Sequence, residues 1–126
     1  MKDELILSIR GGAIGSITPE SSSEEKFQNQ TLRPILKIQN DLFLVVFKNY
    51  ITKQKVDFSS FSPEKKMQFI ENAIQRDVKF RNSLKGMIIG FFTLLEYEEY
   101  ILNSSNLNKR MMNLLIERLK SQIQII

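Results

Sequence analysis

The side chains available for chemistry are acids, amines, guanidinium groups, amides and hydroxyls, because the 126 residues include neither histidine nor cysteine. Histidine is the usual general base near neutral pH and the commonest metal ligand. Cysteine supplies the thiolate nucleophile and the soft metal ligand. Their absence excludes an ordinary zinc site, a Ser-His-Asp or Cys-His pair, haem or iron–sulfur ligation and any disulfide. Glu96, Glu98 and Glu99, with Tyr97 and Tyr100, form the one carboxylate cluster. Glu96 and Glu99 have a spacing that suits an acid/base pair or a shared metal on a helix. Carboxylate sites in helical bundles complete that pattern with Glu-x-x-His, and the histidine is missing. An acidic first helical turn also complements the helix dipole without any catalytic role. Ser62 and Lys65 match S-x-x-K, but the companion SDN and KTG motifs of serine acyl-enzymes are absent, and Ser62 reads as a helix N-cap. No catalytic residue, metal or cofactor is expected.

Binding chemistry is better represented. The stretch DVKFRNSLKGMIIG, residues 77–90, carries Lys79, Arg81, Asn82 and Lys85. Arg81 and Lys85 are four apart and share a helix face, which suits phosphate or carboxylate groups. The competing reading is a solvated face opposite Phe80, Leu84, Met87 and Ile88. Gly86 and Gly90 have G-x-x-x-G spacing, which predicts one tight packing contact and one helix stop. The Lys-Ser/Thr ending of a phosphate loop is absent. A second polar segment, FQNQTLRP, places Gln28, Asn29, Gln30, Thr31 and Arg33 before Pro34. A proline kink frees backbone carbonyls that must find partners, so this segment is either a polar pocket or an exposed pair of turns. The candidate anion-binding residues are Arg33, Lys79, Arg81, Asn82 and Lys85. No RNP motif, zinc finger or helix-turn-helix is present, and FKNY and KFRN show only weak aromatic–basic interleaving of the kind single-strand binders use.

The elements that must position these groups are helices. Hydrophobic content is 42%, Phe 9, Gly 5 and Pro 3, which suits one domain rich in long helices. Residues 3–10 read as a short helix or extended arm, and GGAIGSITPESSS, residues 11–23, as a mobile linker. The expected organisation is a flexible N-terminal arm over 1–23 and a helical domain over 24–126. Capping-box spacing at Ser21/Glu24 and Ser22/Glu25 opens the first long helix. Apolar residues from Phe27 to Tyr50 keep helical periodicity across Pro34, although LFLVVF alone would also suit a buried strand. Ser62 and Pro63 mark an N-cap and N1. Thr93 and Glu96 have capping-box spacing, and a last helix covers about 106–124. Its apolar arc includes Met112, Ile116, Leu119 and Ile123. An arc that broad belongs to a central helix or to one covered by a second chain. The fold class expected is all-α, a bundle of four or five helices.

Charge is uneven. Residues 1–25 hold two basic and five acidic residues, residues 26–92 twelve and five, and residues 93–126 four of each. A basic middle attracts nucleic acid, anionic surfaces or acidic proteins, yet a small domain can carry such a surplus for solubility alone. The longest apolar run, 42–47, is six residues, far short of the roughly 20 of a membrane span. The N-terminal stretch has no signal-peptide h-region. A soluble cytosolic protein is expected, without membrane partners.

FQNQTLRPILKIQNDL near residue 27, FRNSLKGMIIGFFTLLEY near residue 80 and NKRMMNLL near residue 108 resemble a family of short proteins from Bacteroidetes. The resemblance spans most of residues 24–126. Such proteins are often named glyoxalases, but glyoxalase-type enzymes hold a divalent metal through His and Glu in paired βαβββ units. With no histidine and no such pattern here, no metal or catalytic residue carries over. The resemblance implies a cytosolic bacterial protein. Three functions are consistent with the residues. The first is a non-enzymatic interaction module, in its simplest version a homodimer through Met112, Ile116, Leu119 and Ile123. The second is RNA or DNA binding through the basic 26–92 region. The third is small-anion or metabolite binding, and an enzyme based on Glu96 or Glu99 ranks last.

Overall fold

Pro34 sets the course of the first half of the chain. It has no N–H to donate to the carbonyl four residues before it, and the helix around it is rewound rather than ended. A computed structural model describes residues 1–126. In it, α2 (Ser23–Phe27), a π turn (Gln28–Leu32) and α3 (Arg33–Ile38) run on as one continuous helix. The Arg33 N–H reaches Gln28 O, five residues back. A break at Gln39 then leads into α4 (Asn40–Lys53). LFLVVF lies inside α4, so the strand alternative is set aside.

The other elements are α1 (Lys2–Arg10), α5 (Pro63–Arg76), α6 (Val78–Ile89), α7 (Leu94–Ile101) and α8 (Ser104–Lys120), with 3₁₀ turns at Phe58–Ser60 and Ile123–Ile125. With α2 and α3 joined, seven helices and no strand make up the molecule. The all-α class stands. The expected four or five helices fall short because α1 is formed and because the break at Gln39 divides the helical stretch across Pro34 in two. No helix is long and apolar enough to cross a membrane.

The local signals are used as the sequence suggests. Ser22 Oγ accepts from Glu25 N and Ser62 Oγ from Lys65 N. At Thr93 both halves of a capping box form, with Glu96 N donating to Oγ1 and Thr93 N donating to the Glu96 carboxylate. Asp77 ends α5 and caps α6 through Phe80 N. α6 stops at Gly90, but Gly86 makes no tight contact. A Cβ there would meet nothing within 4 Å, so the expected close approach at the G-x-x-x-G pair does not occur.

The core gathers around α8, which packs on α5, α6, α7 and the π turn. Met111, Leu115 and Leu119 meet Leu32, Ile35, Ile70, Ile74 and Ile88 in one cluster. An aromatic group from α4, α5, α6 and the first 3₁₀ turn extends it. Tyr50 stacks on Phe80 at 3.9 Å, and Phe47 meets Phe58 edge-on. Packed on three helices and the π turn, α8 uses its apolar arc within its own chain and leaves Ser105, Lys109 and Asn113 exposed. Met112, Ile116 and Leu119 are buried and Ile123 packs half-buried against the core. Of these four expected interface residues three are therefore core residues and Ile123 packs at the edge of the core.

Candidate functional site

The N-terminal segment, expected as a flexible arm over residues 1–23, is bonded to the helical domain through Arg10. Arg10 extends inward from the end of α1 with its side chain 1% exposed. Its guanidinium binds both oxygens of Glu96, at 2.6 and 2.8 Å. It also donates to the carbonyls of Phe91 and Gln30, at 3.1 and 3.2 Å. Gln30 is the residue whose carbonyl Pro34 cannot satisfy. The π turn leaves a second carbonyl open, that of Asn29, and Ile14 N–H takes it at 2.9 Å. Both groups freed at the proline step are thus satisfied by residues 10–14. Asn29 holds the linker further through its side-chain amide, which donates to Ser16 O. Gly15, at φ +100, lies so close to Asn29 that a Cβ would meet its Cγ at 2.9 Å.

FQNQTLR is accordingly a set of separately satisfied groups and not an open pocket. Gln28 accepts from Arg110, Asn29 from Arg33, and Thr31 donates to Glu96. Burial on its own would raise the Glu96 carboxyl. Hydrogen bonds from Arg10, Thr31 and Thr93 N–H outweigh it and hold the group below the usual carboxylate range. Glu96 is therefore an ionised structural anchor. Glu99 lines a different groove, with Glu24 and Leu102, so the two do not form an acid/base pair. No three acidic side chains come together in a way that would hold a metal.

The site with ligand-like chemistry lies between α6 and α8. Arg81 and Lys85 on α6 face Ser105, Lys109 and Asn113 on α8, each set at a spacing of four residues, across a cleft of ≈ 450 Å³. Gln75 and Asn108 complete the polar walls and Met112 is the one apolar lining residue. Three cations and no carboxylate line this cleft. Arg81 is oriented by one hydrogen bond, from Nη1 to Gln75 O at 2.7 Å. Tyr100 donates to Asn108 Oδ1 at 2.6 Å, which leaves the Asn108 amide nitrogen as a donor. Lys85 and Lys109 pair with no acid; the ion pairs of the molecule are Arg10–Glu96, Arg110–Glu24 and Lys120–Glu71. Converging unpaired cations and oriented amides suit an anion with several oxygens.

The expected binding residues are divided by this geometry. Arg81 and Lys85 belong to the cleft. Lys79, two residues before Arg81, points to the far side of α6. There it lines a groove with Val45, Tyr50, Lys53, Asp77 and Phe80. Burial and the hydrogen bond to Asp77 push the Tyr50 hydroxyl in that groove up to about 12. Asn82 is exposed and outside the cleft lining. Arg33 lines a smaller cleft with Arg118, Glu117 and Gln122. Burial, and then the Arg33 charge nearby, lower Arg118 from its ordinary value. Arg33, Arg81 and Asn82 do not converge. Lys109, Asn108 and Asn113 were not among the expected residues. Their signal was present in α8 as a polar stripe at positions 105, 109 and 113, opposite its apolar arc.

Comparison with known proteins adds no relative: no family model, curated protein or solved structure matches the chain.

Proposed function

We propose that the protein is a binding module for a small phosphorylated ligand, held between α6 and α8 by Arg81, Lys85 and Lys109. The observation that carries this reading is a cleft with three cations and no carboxylate among its lining residues. Phosphate oxygens accept from guanidinium, ammonium and amide donors alike, and Arg81 offers the planar fork that fits them. The cleft falls within the roughly 300–1,000 Å³ range of small-molecule sites. Catalysis forms no part of the proposal, since the cleft offers no carboxylate as a base. The resemblance to the short Bacteroidetes proteins gives no residue a role and adds only a bacterial, cytosolic setting.

Nucleic-acid binding is the less favoured reading. The basic residues of 26–92 are distributed over separate grooves, with Lys79 and Lys53 on one side of α6 and Arg81 and Lys85 on another. A phosphate backbone needs a continuous track. Titration calorimetry with inorganic pyrophosphate, and then with a short single-stranded oligonucleotide, separates the two. The proposal expects one saturable pyrophosphate site, weakened about tenfold by Arg81→Ala or Lys109→Ala and unchanged by Lys79→Ala. Oligonucleotide binding that falls steeply with salt and responds equally to Lys79→Ala and Lys109→Ala would instead establish the nucleic-acid reading.

A further inference from the structure

Sixteen large apolar side chains are exposed, and nine of them lie on α1 and α7 or at their ends. These two helices also meet: the Asp3 carboxylate accepts from Leu94 N–H at 3.2 Å, and Arg10 binds Glu96. Glu96 and Tyr100, four apart, occupy the inner face of α7. On its outer face Leu94, Leu95, Ile101 and Leu102 are 74%, 76%, 55% and 85% exposed. That spacing, i, i+1, i+7 and i+8, is an apolar stripe with no partner in the chain. On α1, Leu5 and Ile9 are four apart and also more than half exposed. Monomeric proteins rarely leave a large apolar patch exposed unless something covers it.

The charge around the stripe identifies what covers it. Glu98 lies within the α7 stripe, with Glu99 beside it and Asp3 and Glu4 on α1. Lys2 is the only basic residue of the two helices besides the internally paired Arg10. No ion pair engages Glu4, Glu98 or Glu99. An isologous contact with a second copy would bring the carboxylates of both copies into one interface with no base but Lys2 to pair them. An anionic lipid surface would be repelled for the same reason. We propose that the joined α1/α7 face docks a basic amphipathic helix of another protein, its apolar side on Leu94, Leu95, Ile101 and Leu102 and its lysines on Glu98, Glu99 and Glu4. Apolar anchors at i, i+3, i+4 and i+7 are the usual means of helix-in-groove recognition, and complementary charge steers the approach.

The test is fluorescence anisotropy of a labelled synthetic amphipathic helix of Leu and Lys, titrated with the full chain. A Leu/Glu helix with the same apolar side, and vesicles of neutral and anionic phospholipid, run in parallel. The Leu/Lys helix should bind and the Leu/Glu helix should not. Affinity should fall about tenfold or more in the double variant Leu95→Gln/Leu102→Gln and also fall in Glu98→Gln. Because these side chains are exposed, the melting temperature of each variant should match the parent, and light scattering should show no self-association. Equal binding of both helices would overturn the proposal. So would binding indifferent to the double variant, vesicle binding that the double variant abolishes, or a dimer that it dissociates. Lys109→Ala should leave peptide binding unchanged, which separates this surface from the α6/α8 cleft.

Discussion

Arg10 donates to the carbonyl of Gln30 at 3.2 Å, and Gln30 is the residue whose helical hydrogen bond Pro34 removes. A proline in the middle of a helix and an arginine at the end of α1 thereby become one structural unit. The same guanidinium closes a bidentate pair with Glu96, which caps α7 at Thr93. Three stretches far apart in sequence (α1, the π turn and residues 91–96) meet at one side chain.

Removing that side chain should release them. Arg10→Ala leaves a buried Glu96 carboxylate with Thr31 and Thr93 alone. Loss of one partner of a buried pair costs about 3–5 kcal/mol, and urea denaturation should show a loss in this range. Hydrogen exchange should rise at the amides of Ile14 and Leu94, which donate to Asn29 O and to the Asp3 carboxylate. Unchanged exchange at Ile14 would mean that Arg10 does not secure the arm.

The ion pair also sets an acid limit. The Glu96 carboxyl is held below its ordinary value of 4.5 when folded. A depressed folded value stabilises the protein fully above about pH 4.5 and is lost as pH falls through the folded value. The urea midpoint of the parent should therefore drop below pH 4.5, and its advantage over Glu96→Gln should shrink across the same window. A constant difference between the two down to low pH would show that Glu96 does not carry the linkage.

Gly15 gives a backbone test of linker docking. Its φ of +100 and the 2.9 Å approach to Asn29 both penalise a side chain. Gly15→Ala should destabilise by roughly 1–3 kcal/mol. Gly12→Ala, where nothing lies within 4 Å of the added carbon, should change stability by less than about 0.5 kcal/mol. Equal effects would indicate that the linker is not packed on Asn29.

The helix caps were readable because each is local: Ser22, Ser62 and Thr93 bond to an amide three residues away. The Arg10–Glu96 pair spans 86 residues, and nothing in either neighbourhood announces the other. Pro34 did announce freed carbonyls, but not that the segment expected to be mobile would supply their donors. Lys79 and Arg81 look like one cation cluster in the sequence. Two helical steps rotate them about 200° apart, which puts them in different grooves. Lys109 was hidden by averaging, since residues 93–126 hold equal numbers of each charge. A geometric reading of α8 face by face would have exposed it.

The breadth of the α8 arc had two readings, a central helix or an interface, and its surroundings decide between them. Ile116 is 5% exposed, so Ile116→Asp places an unpaired charge in the core. It should lower stability by roughly 4 kcal/mol or more, with circular dichroism reporting loss of helix. A folded chain that merely changes its association state would return this residue to an interface.

An amide NMR titration with inorganic pyrophosphate tests the proposed phosphate site of Arg81, Lys85 and Lys109. Shifts should saturate together and be confined to residues 81–85 of α6 and 105–113 of α8, including the side-chain amides of Asn108 and Asn113. Arg81→Ala should raise the pyrophosphate concentration that half-saturates them about tenfold. Shifts scattered over the other lysines, Lys53 and Lys79 among them, or growing without saturation, would rule out a single site there.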